Sequence, residues 1–458
     1  MSASNVHENL SRGGRAGRLL AAAFGATTLM WLFSYAAIIV PGAVTGDILF
    51  GLAILSLLGG GAVAGREDGA LPGGQAILRG MGVGAIAAGL NLLVVASLLR
   101  SDLMGGLGWV MGILIGCVVV GAAGGLLGHA LKPWRSDGNW LTLFCWVATG
   151  LTFFMIITGG IVTGFEAGLA VPDWPNSYGH NMLLYPLSEM VADPDGGVFF
   201  EHAHRLTGMF VGMTAMVLCV VLWAGDRRLW VSALGTAILL LVIVQGVLGG
   251  LRVTGVLTLS QDAADLAPST TFAVIHGVLA QIILCLMAIT AACTSSRWRG
   301  TAPVIGEGRV EVDRQLSVVL VVLVLLQLII GAAYRHMVTE VGPRAPGATH
   351  ALMAHIGIAV LVLGLGVIVG LRGCAMEGRD RVFMHLGRVL LGSVGLQIVL
   401  GFVALAVVMQ RPEIGTTADV PPLEVMVTTA HQANGALLFV SSVLLFVWYL
   451  RVPRSALT

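Results

Sequence analysis

Charge is what this sequence most lacks: 11% of its 458 residues are Asp, Glu, Lys or Arg, against about 25% in soluble domains. An ordinary soluble protein is thereby excluded. Net charge is +1, from 25 basic and 24 acidic residues, so nothing in the balance points to nucleic acid or another polyanion as a partner. Cysteine is sparse as well. Cys117, Cys145, Cys219, Cys285, Cys293 and Cys374 fall in apolar runs or short connections, and none forms a Cys-x-x-Cys motif. Neither an exported disulfide framework nor a cysteine metal site can be argued from them. A cleaved signal peptide is not expected, because Arg12, Arg15 and Arg18 precede an apolar run too long for one and no clear cleavage site follows.

What is present is apolar: 57% of residues are hydrophobic and the mean hydropathy is +0.91. About 20 such residues span a bilayer as a helix. Runs at roughly 19–41, 46–64, 76–99, 107–131, 140–163, 200–223, 231–252, 271–293, 315–335, 350–371, 388–409 and 428–450 predict an all-α polytopic membrane protein of twelve transmembrane helices. Basic residues are retained on the cytoplasmic side during insertion. With both termini cytoplasmic, 19 of the 25 lie inside, Arg12, Lys132, Arg135, Arg379 and Arg454 among them, and Arg100, Arg205, Arg252, Arg335, Arg344 and Arg411 lie outside. The setting expected is a bacterial cytoplasmic membrane.

The last eight helices repeat. Odd-numbered helices carry Met155-x-x-x-Gly159, Gln245-x-x-x-Gly249, Gln327-x-x-x-Gly331 and Gln397-x-x-x-Gly401, and each even-numbered helix carries one histidine near its start: His204, His276, His355 and His431. Spacings of 151 residues from His204 to His355, 155 from His276 to His431 and 152 from Gln245 to Gln397 indicate a duplicated four-helix bundle. The eight helices therefore read as two pseudosymmetric four-helix bundles, residues 136–300 and 301–458. Residues 1–135 form a further membrane segment of four helices with no chemistry visible in the sequence. The loop after helix 5 is about twenty residues longer than its counterpart after helix 9 and is a candidate functional element.

A lone intramembrane histidine is as often a packing residue as a ligand, but four recurring once per hairpin, three to five residues after entry, are harder to explain by packing. That places them about 5 to 8 Å down, in one layer. Two inward imidazoles on two helices can hold a heme iron from opposite sides. Zinc is the weaker alternative, since it needs three or four protein ligands. A proton relay needs carboxylates on several helices, and Glu201 alone qualifies. Glu201, His204 and Arg205 make an E-x-x-H-R element on one helical face; it reads as a carboxylate poised beside a ligand, or as an interfacial ion pair. His202 points to another face and is expected at the outer surface. The position matching Glu201 in helix 10 is Leu352, which suggests that one bundle reacts while the other carries electrons. Arg252 and Arg335, at outer helix ends, suit heme propionates or simply snorkel to the headgroups.

The stretch TGGIVTGFEAGLAVPDWPNSYGHNMLLYP, followed by FFEHAHRLTG, QGVLGGLRV, IHGVLAQ and HQANGAL, resembles the heme A synthase family over roughly residues 140–452. The resemblance implies eight helices in two bundles and oxidation of the C8 methyl group of heme O to the formyl group of heme A, the cofactor of aa3-type oxidases. It implies further that His204 and His276 flank the substrate heme, that His355 and His431 bind a b-type heme, and that Glu201 is the carboxylate beside the substrate. Arg205, Arg252 and Arg335 are the expected cofactor contacts, and Pro172, Asp173, Trp174 and Pro175 match the PDWP substrate-loop element. Heme O synthase and cytochrome oxidase assembly factors are the implied partners. The chain departs from the family pattern at Ala170 and Val171, where many members have Ser-Cys, and at Ile356, where Arg often follows the third histidine. The alternatives are a bis-heme b-type electron-transfer protein without methyl oxidation, or a twelve-helix transporter, which leaves the histidine repeat unexplained.

Overall fold

The computed structural model describes residues 14–40, 42–66, 72–97, 103–131, 139–192, 197–254, 270–300, 307–375, 380–411 and 420–452. Among the basic residues used to orient the chain, Arg12, Arg100, Lys132, Arg135, Arg379 and Arg454 lie outside them. The described residues contain twelve helices long and apolar enough to cross a membrane, and the chain is an integral membrane protein. These are α1 (Arg15–Ile39), α2 (Ala43–Gly65), α3 (Gly73–Val95), α4 (Leu103–Ala130), α5 (Trp140–Gly164), α6 (Gly197–Gly225), α7 (Leu229–Thr254), α8 (Thr270–Thr294), α9 (Glu307–Val341), α10 (Pro346–Cys374), α11 (Arg381–Val408) and α12 (Pro422–Arg451). Several helices outrun their apolar stretches. α9 begins well before its apolar run because Glu311, Asp313 and Arg314 continue the helix beyond it, and α10 and α12 open on Pro346 and Pro422, at the position where a missing N–H costs nothing.

The chain divides into two compact units. The first comprises Met1–Phe154, Pro175–Val242 and Cys293–Ser296, and the second Met155–Trp174, Ile243–Ala292 and Arg297–Thr458.

In the first unit, α2, α3 and α4 pack through glycine. A Cβ on Gly121 or Gly125 of α4 would fall under 3.0 Å from the carbonyls of Gly80 or Ala76 on α3. One on Gly124 or Gly128 would meet those of Leu58 or Ala62 on α2 just as closely. Association between membrane helices rests on such backbone approach, since lipid removes the hydrophobic drive. Adjacent faces of α4 thus hold two neighbours. α1 presents an aromatic stripe instead: Phe24 packs edge-on to Phe144 at 5.3 Å, Trp31 lies 5.0 Å from Phe210, and Tyr35 stacks on Phe199 at 5.6 Å. Arg18 sits 4.4 Å over the Trp140 ring. The first helix of the N-terminal segment is therefore seated against α5 and α6, and Phe199 and Phe210 turn the back of α6 toward it.

The loop after α5 carries a two-strand hairpin, β1 (Asn176–Ser177) and β2 (His180–Asn181), with Asn176 opposite Asn181 and Ser177 opposite His180. Its two central residues, Tyr178 and Gly179, have φ of 50° and 74°, as a two-residue primed turn requires.

In the second unit α9, α10, α11 and α12 close a ring of neighbours, α9 on α10, α10 on α11, α11 on α12 and α12 on α9. Leu320, Phe383, Leu390, Leu445 and Tyr449 fill its centre. At one end Arg372 pairs with Asp313, and Arg314 donates to the carbonyls of Tyr449 (3.0 Å) and Val452.

Candidate functional site

The E-x-x-H-R element lies in the first turns of α6. Glu201 is 4% exposed and pairs with Arg205 at 2.5 Å, one helical turn on. Arg205 also donates to the carbonyl of Asn176 in the hairpin, at 3.0 Å. The expectation that His202 lies at the surface is corrected: it is 1% exposed, with Nδ1 3.2 Å from Ser177 Oγ and its ring 5.0 Å from Tyr185, which stacks in turn on Tyr178. The reason is the hairpin, which covers the helix start. His202 and Arg205 hold that cover by its β1 strand, while Glu201 and His204 share the neighbouring face. His204 is half-buried.

In the second unit His276, His355 and His431 are each half-buried. They lie six, nine and nine residues beyond the first residues of α8, α10 and α12, and His204 lies seven beyond that of α6. At about 1.5 Å per residue this is some 9 to 14 Å of helix, deeper than the sequence suggests, because the helices start earlier. The glycine of each Gln-x-x-x-Gly motif faces the next histidine ring. A Cβ would meet Cε1 of His276 at 3.3 Å from Gly249, of His355 at 2.8 Å from Gly331, and of His431 at 3.2 Å from Gly401. The glutamine meets the same residue: Gln245 Nε2 donates to the His276 carbonyl at 2.9 Å and Gln397 Nε2 to the His431 carbonyl at 3.1 Å. Gln397 also lies 3.2 and 3.3 Å from the two ring nitrogens of His431, and Asn434 fixes it by donating to its Oε1 at 2.6 Å. The sequence showed these glutamines and glycines as a repeat; that each glycine meets a histidine ring, and that Gln245 and Gln397 hold the same residues, needs tertiary contacts to be seen.

The His355 and His431 rings are 6.3 Å apart between centroids and inclined by 62°. Two imidazole nitrogens each about 2 Å from one metal ion, with ring centres about 1 Å further, would set centroids about 6 Å apart. His355 Nδ1 and His276 Nδ1 are buried without a hydrogen-bond partner, which suits rings that direct their other nitrogen to a ligand. The donor set of this pair fits a bis-imidazole heme. Among the described residues no group of three or more His, Cys, Asp or Glu side chains could hold a metal ion by itself.

Trp174 of the PDWP element packs on the end of α7. The Trp174 indole lies against Gly250, where a Cβ would come under 3.0 Å from the ring, and the Arg252 guanidinium lies against Gly168. Neighbouring glycines thus receive two different aromatics, Gly249 the His276 ring and Gly250 the indole. Pro172 and Pro175 are exposed and Asp173 half-buried. Arg335 donates to the carbonyls of Thr163 (3.2 Å) and Gly164 (3.1 Å) and lies 3.5 Å from Glu424. Glu424, 1% exposed, accepts from Arg411 Nε at 2.8 and 2.9 Å, and Arg411 also reaches Glu166 at 2.8 Å. Burial pulls down the Arg411 guanidinium's affinity for its proton, but the hydrogen bonds it donates to Glu424 and Glu166 outweigh it and the pKa ends above its ordinary value. The sequence used Arg411 only to orient the chain and did not single out Glu166 or Glu424.

Residues 142–341, less than half of the chain, match the model of the COX15-CtaA family. Its members are described as cytochrome oxidase assembly proteins, in agreement with the resemblance carried by the PDWP and E-x-x-H-R motifs. The matched segment runs from α5 to the end of α9 and contains Glu201, His204, Arg205, Arg252, His276 and Arg335. A 91-residue stretch is also 33% identical to the heme A synthase of Roseobacter denitrificans, covering 18% of this chain and 22% of that protein. The chain thus matches about a fifth of the length of this curated relative. His355 and His431 lie beyond the family match and rest on the internal repeat and their own geometry.

Proposed function

We propose that the chain is a membrane oxidoreductase of heme A synthesis, converting the C8 methyl group of heme O to the formyl group of heme A, through the alcohol, for aa3-type oxidases. The observation that carries this reading is the buried Glu201–Arg205 pair beside His204, inside the segment that matches the COX15-CtaA family. Arg205 orients the carboxylate and ties it to the hairpin, and Glu201 takes up the proton released as the methyl group is oxidised. His204 and His276 are each read as a ligand to the substrate's iron. Arg252, whose guanidinium lies against Gly168, is read with Arg205 and Arg335 as a propionate contact. In the second bundle, residues 301–458, His355 and His431 would hold a b-type heme, which when bound supplies one-electron redox capacity. The helices of residues 1–135 buttress α6 through Phe24, Trp31 and Tyr35.

The same reading places the chain in a bacterial cytoplasmic membrane with both termini inside, next in sequence to a heme O synthase and working with cytochrome oxidase assembly factors. The His355–His431 pair alone also suits a b-type electron carrier. Co-expression with a heme O source, followed by extraction and separation of hemes, distinguishes them: heme A or its alcohol precursor is expected, and heme B alone would overturn the enzymatic reading.

A further inference from the structure

The Gln-x-x-x-Gly motifs do more than mark a repeat. In an α-helix the side chain at position i+4 stands over the carbonyl of residue i, so a glycine there leaves that carbonyl open on the helix surface. At Gly249 the nearest atoms of His276 to a built Cβ are Cε1 at 3.3 Å and Nδ1 at 3.8 Å. At Gly331 those of His355 are Cε1 at 2.8 Å and Nδ1 at 3.2 Å, with Nε2 farther at 3.8 Å. Both rings therefore turn their Nδ1 edge to the glycine and their Nε2 edge away. The main-chain carbonyls of Gln245 and Gln327 are within reach of these rings, yet neither Nδ1 has a formed hydrogen bond. A histidine that binds metal through one nitrogen nearly always donates the other N–H to a carbonyl or carboxylate, which fixes its tautomer and raises its basicity.

We infer that Gly249 and Gly331 are positioning residues: each opens the carbonyl of the glutamine four residues earlier as acceptor for the Nδ1–H of His276 or His355, so that Nε2 faces the ligand. Gln245 adds a second grip, its side-chain amide holding the His276 carbonyl. The third motif is built otherwise. Gln397 offers an N–H donor to the His431 ring, and its own oxygen is occupied by Asn434. This inference rests on the histidines being heme ligands.

The test uses the full-length, heme-loaded protein in detergent, measuring heme content, the low-spin electron paramagnetic resonance signals and the midpoint potential of each heme. Gly331→Ala is compared with Gly395→Ala on α11, where a Cβ meets nothing within 4 Å. Gly331→Ala should lower heme affinity by about 10- to 100-fold and raise the potential of the heme that remains, while Gly395→Ala leaves both at wild-type values. Should Gly331→Ala hold no heme at all, Gly249→Ala, whose methyl group would stand at 3.3 Å, must raise the potential of the His276 heme with its content retained. Unchanged potentials and spectra in heme-replete Gly331→Ala or Gly249→Ala would overturn the inference alone. Wild-type protein that binds no histidine-ligated heme would instead overturn the functional reading beneath it.

Discussion

Replacing Glu424 by Gln tests how far the second unit depends on its buried charges. The substitution keeps shape and removes one negative charge from a group that is 1% exposed and bound by Arg411 through Nε at 2.8 and 2.9 Å and through a terminal nitrogen at 2.7 Å. Arg335, 3.5 Å away, loses the same partner and keeps only the neutral carbonyls of Thr163 and Gly164. Two guanidiniums would then share Glu166, whose side chain is 35% exposed. Removing one member of a buried ion pair costs about 3 to 5 kcal/mol, because the other charge is left uncompensated. The Arg411–Glu166 pair is nearer water, and its loss in Glu166→Gln should cost about 0.2 to 1 kcal/mol. The double variant Glu424→Gln, Arg411→Met removes both charges, so it should recover most of what Glu424→Gln loses. Urea unfolding in detergent micelles, followed by tryptophan fluorescence, gives all three values and a double-mutant cycle. A Glu424→Gln loss no larger than that of Glu166→Gln, or a double variant as unstable as the sum of its parts, would refute the reasoning.

Glu201→Gln should retain the heme held by His355 and His431 yet accumulate heme O or its alcohol in extracts, and undiminished heme A would remove the proton-acceptor role. Gly250→Ala should displace the Trp174 indole, read as a red-shifted and more readily quenched tryptophan emission, whereas Gly246→Ala, where a Cβ meets nothing within 4 Å, should change neither; equal spectra for both variants would contradict the packing described. Gly124→Leu should separate α4 from α2 and lower the yield of folded protein in detergent, while Gly112→Leu on the same helix, in open space, should be tolerated.

All twelve transmembrane helices were legible, because each needs only its own apolar run and the bilayer thickness, both properties of local sequence. So was the histidine repeat, since duplication writes it into spacing. Long-range partnership was not. His202 looked like a surface residue because the sequence does not show that Ser177 and Tyr185 fold back over it. Arg335 looked like a free cation at a helix end, whereas its partners are two carbonyls of α5 and Glu424 of α12. Arg411 counted only as one of six outer basic residues and Glu424 was not singled out, and only their closure on one another makes them a buried pair. The Gln-x-x-x-Gly motif failed differently: it was seen, but a glycine chosen for what it uncovers resembles one chosen for close packing until the neighbouring ring is placed.

The contrast between the two halves of the repeat now has a physical form. Where α6 sets Glu201 three residues before its histidine, α10 sets Leu352, which is 8% exposed. The same helical position is thus filled by a paired carboxylate in one copy and by a buried apolar side chain in the other. A proton acceptor beside an iron serves chemistry that breaks C–H bonds; an apolar wall favours a cofactor that changes charge without exchanging protons, because any ionisable neighbour would couple its potential to pH. Under the proposed function the midpoint potential of the heme held by His355 and His431 should therefore vary little between pH 6 and 8 in the wild-type protein, and Leu352→Glu should make it fall as pH rises, as the new carboxyl group loses its proton and stabilises the oxidised state. Potentiometric titrations of the two proteins at several pH values decide it: a strongly pH-dependent wild-type potential, or a Leu352→Glu protein with the wild-type slope, would show that the apolar wall is not what keeps this heme's redox chemistry apart from protons.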